Sequence, residues 1–417
     1  MEEEYGEWTR SRNEQLSPQA KGVGQVAMTI TRNRLSLLAL LWGIAVCAPL
    51  RSSGQTHADS GRAQFFQLQY ADALASFERA VSKDPSDTEA RSWCAETLRR
   101  LGRPADALRT AREAIRMGGC SSLAHCVIAQ AGAVDEDTVR VHARAAIACD
   151  PSDPNPWLML CGEGMKRNDP VLHDSAITMM RTTGFFTPAA LAWGRAELRT
   201  LPPDAVLITA GDMDTYPALA VQITEGFRTD VTVIEQEHAG IEWAQRFYGQ
   251  QKHLSFPRAE AALSGGNDTA TSRPALPGSA ERAFRALLEA RRQREFSRPI
   301  ALALTVDPQF LASEREEFRL NGTYLLHVPG AHAAPSDTAA LRACLDAIVP
   351  EEFGGSWTGA RDRSPVRRFY SDGLAGIITE LYGTYAGELT KAGRIAEANE
   401  VRCRAEAYIR VTTAPKR

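Results

Sequence analysis

The sequence carries almost no excess of charge. Its 48 lysines and arginines face 51 aspartates and glutamates, for a formal net charge of -3. That balance excludes the broad basic field on which nucleic-acid binding depends. Eight cysteines are present, but none form a C-x-x-C pair or sit at zinc-finger spacing from a histidine. There is also no Walker motif, no H-E-x-x-H and no G-x-S-x-G. The P-loop, zincin and α/β-hydrolase signatures are therefore missing. Cys94, Cys126, Cys149 and Cys161 lie in apolar helical patterns and read as small buried thiols. Loss of a leader containing Cys47 would leave an odd number of cysteines, which argues against a complete disulfide framework.

What is present begins with that leader. Residues 35–50, LSLLALLWGIAVCAPL, are uncharged, follow Arg32 and Arg34, and precede RSSGQTHA. The run is too short for the ~20 residues that span a bilayer, and its flanks fit a signal peptide cleaved near Gln55. An uncleaved membrane anchor is the second reading. Residues 1–27 are polar, and Met28 stands where an n-region would begin, so translation is expected to start at Met28 rather than Met1. The expectation is an exported protein, in the periplasm or on the outer face of the inner membrane, with membrane association through residues 35–50 as an option.

From residue 55 alanine and leucine recur at helical spacing with a 34-residue period. YADALASFERAVSKDPSD (70–87) aligns with RPADALRTAREAIRMGGC (103–120), matching Ala73 to Ala107, Phe77 to Ala111 and Ala80 to Ala114. Pro85 ends a helix and Gly102 makes a turn. A third unit follows at 122–151 and a fourth from Pro154, with Trp157, Leu160 and Cys161 at first-helix positions. Paired helices at this period resemble the tetratricopeptide repeat. The resemblance implies a concave face presenting Arg62, Phe66, Ser92, Glu96, Arg99, Cys126, Gln130 and Leu158. Of these, Arg62, Phe66, Glu96, Arg99, Gln130 and Leu158 are the candidate contacts to a protein or peptide partner. His125, His142 and His173 lie on the repeats and read as packed or surface side chains.

After residue 184 the pattern becomes α/β. AVLITA (205–210), VTVIEQ (231–236), PIALALTV (299–306) and TYLLHV (323–328) read as strands separated by helical stretches, among them 281–296. A polar Gly/Ser/Pro-rich loop occupies 263–280. The expected sheet is small and mostly parallel, with helices on its faces. Its acidic residues fall just beyond the strand ends. Asp212 and Asp214 follow the first strand, Glu235, Glu237 and His238 the second, and Asp307 the third. Ligands in open α/β sheets gather at that edge, and an oxygen-rich cluster there suits Mg²⁺, Mn²⁺ or Ca²⁺. Asp212, Asp214, Glu235 and Asp307 are thus the candidate metal ligands. The competing reading is that Asp214 or Thr215 only caps the following helix, with Pro217 in its first turn, and that no cofactor is bound.

LPPDAVLITAGDMDTYPALAVQITEGFRTDVTVIE (201–235), and later FRLNGTYLLHVPG (318–330), are similar to the soluble C-terminal region of an uncharacterised bacterial family. That region often follows a multi-spanning domain similar to protein O-mannosyltransferases. The carrying motifs are Pro202–Pro203, Gly211 to Pro217 as G-D-x-D-T-[FY]-P, and Arg228-x-Asp230-Val231. The resemblance implies the fold and an extracytoplasmic location, and does not extend to the membrane domain's chemistry.

Tyr382, Tyr385, Ala386, Gly393, Ala398 and Ala405 of the segment 381–409 fall on repeat-like positions. Such a lone helical pair must dock to bury its apolar face. RDRSPVRRFY (361–370) reads as a solvated basic loop. The expected organisation is a polar leader with signal peptide or anchor at 1–54, an α-solenoid of repeats at 55–183, an α/β domain at 184–350 and a helical segment at 351–417. The function expected is an exported scaffold of the cell envelope that binds a protein or peptide. The alternative is a divalent-metal enzyme of envelope glycan or phosphate chemistry using Gly211 to Thr215.

Overall fold

The computed structural model describes residues 56–131, 135–257, 278–330, 336–354 and 365–413. The leader, Met28 and most of the 263–280 loop lie outside the described residues. No helix among the described residues is long and apolar enough to cross a membrane. Packing divides the chain into two compact units. The first runs to Leu160 and the second starts at Cys161, apart from the short stretch 360–365. The split falls inside the first helix of the fourth repeat.

The first unit is built from helix pairs. α1 (His57–Phe66) and α2 (Tyr70–Lys83) form repeat one, and α3 (Thr88–Arg100) and α4 (Pro104–Arg116) repeat two. α5 (Ser122–Gln130) and α6 (Glu136–Cys149) form repeat three, and α7 (Asn155–Lys166) opens repeat four. The period predicted from sequence is the period of the core: Ala73, Phe77, Ala80, Ala107, Ala111 and Ala114 are all buried. Small residues at these positions let the helices close up. A Cβ on Gly61 would lie 2.7 Å from the Phe77 ring. Trp93 stacks on Phe77 with ring centroids 6.0 Å apart and meets Phe65 edge-on at 5.3 Å. Helix starts are set locally, since Asp87 accepts the Ala90 N–H at 2.8 Å and Ser121 the Ala124 N–H at 3.2 Å. Gly102 turns the chain at φ +71°, where a side chain would be strained.

Cys149 departs from the buried-thiol reading. It forms a disulfide with Cys120, joining the start of α5 to the end of α6. Cys94, Cys126 and Cys161 are buried and form no disulfide, as their apolar settings predict.

The second unit continues with α8 (Pro170–Thr182) and α9 (Pro188–Arg199), followed by β1 (Val206–Thr209), α10 (Asp212–Glu225) and β2 (Thr232–Glu235). α11 (Glu242–Lys252), α12 (Ser279–Arg292) and β3 (Ile300–Ala303) follow. β4 (Phe318–Asn321) and β5 (Tyr324–His327) complete the sheet, whose order is β2-β1-β3-β5-β4. β1 pairs in parallel with β2 and β3, while β5 runs antiparallel to both β3 and β4. The sheet is therefore mixed, and its parallel half carries the acidic edge. β4 is a strand the sequence reading did not separate. It turns into β5 through the two loop residues Gly322 and Thr323, with glycine first at φ +70°.

One face of the sheet packs Val206, Ile208, Ile234, Ile300 and Leu302 against Phe247, Tyr248, Phe284, Leu287 and Leu288 of α11 and α12. The C-terminal helices α13 (Thr338–Asp346), α14 (Pro350–Gly354), α15 (Pro365–Lys391) and α16 (Ile395–Thr413) share a second core with α9. In it Trp193 packs with Leu341, Cys344, Ile378, Tyr382, Tyr385 and Tyr408. The repeat-like pair α15–α16 thus buries its apolar face within its own unit. Residues 365–370, expected as loop, form the first turns of α15.

Candidate functional site

The acidic turn sits where the topology predicts, at the carboxyl ends of β1 and β3. β1 stops at Thr209, and α10 begins at Asp212 with Gly211 as its N-cap. Asp214 occupies the third helical position and reaches back. Its Oδ1 accepts the Gly211 N–H at 2.9 Å and the Thr215 N–H at 3.1 Å. Its Oδ2 accepts the Ala210 N–H at 2.8 Å and the Thr305 hydroxyl beyond β3. Thr215 and Thr209 exchange a hydroxyl hydrogen bond at 2.6 Å. Asp214 is 1% exposed. Burial pushes its carboxyl above the usual range, against the pull of these four donors. The side chain therefore closes the turn, joining the start of α10 to two strand ends.

Among the described residues no group of three or more His, Cys, Asp or Glu is placed to hold a metal ion. Asp212 is only half-buried at the start of α10. Glu235 lies at the end of β2, 3.9 Å from His238 Nε2. Asp307 is exposed and caps its own turn by accepting the Gln309 N–H at 2.7 Å. In Asp214 the oxygens that an ion would need are already occupied by backbone and Thr305.

The neighbouring signature is architectural too. Arg228, at φ 50°, donates to the Leu198 and Leu201 carbonyls, both at 2.8 Å, and to the Pro202 carbonyl at 3.0 Å. It also pairs with Asp230 at 2.8 Å. Asp230 in turn accepts the Asp204 N–H at 3.0 Å. The Pro202 carbonyl and the R-x-D-V motif thus form one clamp between the end of α9 and the approach to β2. Hydrogen bonds to a guanidinium or carboxylate are worth about 1.5–3 kcal/mol each, which gives the motif a structural reason.

One buried group had no signal in the sequence. Glu197, on α9, is fully buried, and neither of its oxygens has a hydrogen-bond partner. Burial, and then the charge of Asp214, push the Glu197 carboxyl well above its usual range. The indole N–H of Trp193, one turn earlier, lies beside it and weakly opposes that rise. α9 comes very near α10 at this point, since a Cβ on Gly194 would meet the Ala218 backbone nitrogen at 2.9 Å. Helical periodicity reads Glu197 as an ordinary polar position, and only the packing of α10 buries it.

The repeat-face candidates fall into three kinds. Arg62 is half-exposed and ion-paired with Asp59 and Glu89, both at 2.6 Å. Glu96 is 4% exposed, and Arg99 and Arg100 bind it at 2.7 and 2.8 Å. Burial opposes the ionised form of Glu96, but the two guanidinium groups outweigh it and hold the carboxyl down at about 2. Glu96 is therefore the centre of an internal ion-pair cluster and not an open contact. Ser92 and Cys126 are buried as well, while Gln130 and Leu158 are half-buried. Phe66 remains 37% exposed at the end of α1, edge-on to Trp93 with centroids 6.1 Å apart.

Comparison with known proteins gives two family matches. Residues 67–117 match the tetratricopeptide repeat, and residues 190–256 match TMEM260-associated domain 2. The second match covers the acidic turn and the Arg228–Asp230 clamp. A crystal structure of a thermophilic TPR protein from Thermus thermophilus is similar at 16% identity over 56% of this chain and 97% of that one, with a TM-score of 0.30. No curated protein matches the sequence. With its 34-residue period and paired helices, the first unit carries tetratricopeptide repeats, matched as such over residues 67–117.

Proposed function

We propose that the chain is an exported interaction scaffold of the cell envelope whose repeats bind a protein or peptide partner. Tetratricopeptide repeats in general mediate protein–protein contacts through the surface their stacking exposes. The observation that carries the reading is Phe66. A large aromatic is left 37% exposed beside Trp93, with Leu68 at 39% and Leu101 at 37% at the helix ends of the first two repeats. Aromatic anchors of this kind dominate binding energy where a partner desolvates them. The test is a photo-crosslinking side chain at position 66 in the native host, with position 171 as the exposed control. A discrete adduct at 66 that is missing at 171 is expected. Equal labelling at both positions, or no adduct at 66, overturns the proposal.

Export is supported by the Cys120–Cys149 disulfide, since such bonds persist in oxidising compartments and are rare in the cytosol of mesophiles. The leader read from residues 35–50 points the same way. Alkylation of free thiols in intact cells, followed by reduction and a second label, is expected to find Cys120 and Cys149 protected. Finding both labelled in the first step would refute export.

A further inference from the structure

The third repeat holds a pair of imidazoles that the scaffold reading does not use. His125 on α5 and His142 on α6 face each other with their Nδ1 atoms 2.7 Å apart. The ring centroids are 5.0 Å apart and the planes differ by 38°. One proton can lie between the two nitrogens, so one ring carries its hydrogen on Nδ1 and the other presents a lone pair. Both side chains are only half-buried, which leaves the pair open to solvent. Burial lowers both imidazoles below their usual range, and the His142 charge then adds to the effect on His125 and the Arg112 charge to that on His142. A neutral imidazole is the form that binds metal. The Cys120–Cys149 disulfide fixes the same two helices to each other.

We propose that His125 and His142 form a two-imidazole site for a divalent transition-metal ion, with Cu²⁺ and Ni²⁺ preferred over Zn²⁺. Two metal–nitrogen bonds of ~2.0–2.1 Å to atoms at the observed separation subtend about 80–85° at the ion. That is close to the right angle of square-planar and tetragonal sites, which suit Cu²⁺ and Ni²⁺. A tetrahedral zinc site needs the nitrogens about 3.3 Å apart. To bind, each ring turns off the shared axis so that its lone pair points at the ion. The ring protonated on Nδ1 moves that hydrogen to Nε2, so no proton is lost. Water fills the remaining positions, since no third His, Cys, Asp or Glu joins the pair among the described residues. Arg112 is the nearby charge that opposes binding.

The experiment titrates the full chain with CuCl₂, NiCl₂ and ZnCl₂ at neutral pH in a non-coordinating buffer. It uses a Cys403→Ser background, because that thiol is free and exposed. A single-ion isotherm is expected, tighter for Cu²⁺ and Ni²⁺ than for Zn²⁺, and lost in both His125→Asn and His142→Asn. The Cu²⁺ paramagnetic spectrum should show coupling to two nitrogens. If either variant fails to fold, wild-type titrations at pH 5 replace it, where protonation of the imidazoles should abolish binding. No binding, unchanged binding in folded variants, unchanged binding at pH 5, or a one-nitrogen spectrum overturns the proposal.

Discussion

Asp214→Ala is expected to destabilise the α/β unit by about 3–5 kcal/mol, because it leaves the Ala210 and Gly211 N–H groups and the Thr305 hydroxyl without their acceptor in a buried turn. For a domain of this size that lowers the thermal midpoint by roughly 10–15 °C. Asp214→Asn should lose nearly as much, since its amide places a donor where the carboxylate accepted. Urea melts of wild type and both variants, with and without millimolar Mg²⁺, Mn²⁺ or Ca²⁺, measure the effect. The losses should be the same with and without ions. An ion that stabilises wild type and fails to stabilise Asp214→Ala would make the turn a metal site and return the enzyme reading.

The second large effect is at Glu197, whose carboxyl is held well above its usual range by burial and then by the charge of Asp214. Its folded pKa is raised, whereas the unfolded chain ionises it near the ordinary value of about 4.3. Above that point folding must return a proton to Glu197. Its contribution therefore favours the native state in acid and is lost as pH rises toward the folded pKa. Glu197→Gln removes the requirement. The variant is expected to gain on wild type by up to about 1.4 kcal/mol per pH unit from near pH 5 upward. Carboxylates held low by arginines, such as Glu225 and Asp230, titrate below this window and are common to both proteins. Denaturant melts of the two proteins from pH 5 to 8 supply the difference curve. A gap that stays constant over that range would mean that Glu197 is ionised in the native state.

Both predictions concern residues whose role the sequence did not disclose equally. The D-x-D spacing and the strand before it placed Asp214 at the right edge of the sheet. Whether it would bind an ion depended on Thr305, 91 residues further on. Glu197 belongs to a helix with a mixed pattern, and its burial arises where Gly194 lets α10 approach. Glu96 was placed on the repeat face by register, but Arg99 and Arg100 fold over it, since an i,i+3 and an i,i+4 partner both lie within reach on the helix surface. The disulfide escaped the cysteine count because Cys120 and Cys149 meet only when α5 and α6 pair. The hairpin after β4 had a legible turn glycine, Gly322, but FRLN is too short and too polar to show strand alternation.

By itself, the sequence determined the repeats, because a 34-residue recurrence of small apolar residues fixes both the helix pairing and the core. It also determined the strands of the parallel half and the position of the acidic turn, through β-rich runs followed by helix starts. The tertiary structure decided which polar side chains are spent inside. Asp214 and Glu96 look like binding groups in one dimension and become cross-ties in three. Hydrogen-bond partners and burial depend on contacts between distant segments, and local periodicity carries no information about those contacts. The same holds for His125 and His142, two unremarkable helical positions that the pairing of α5 with α6 brings to 2.7 Å.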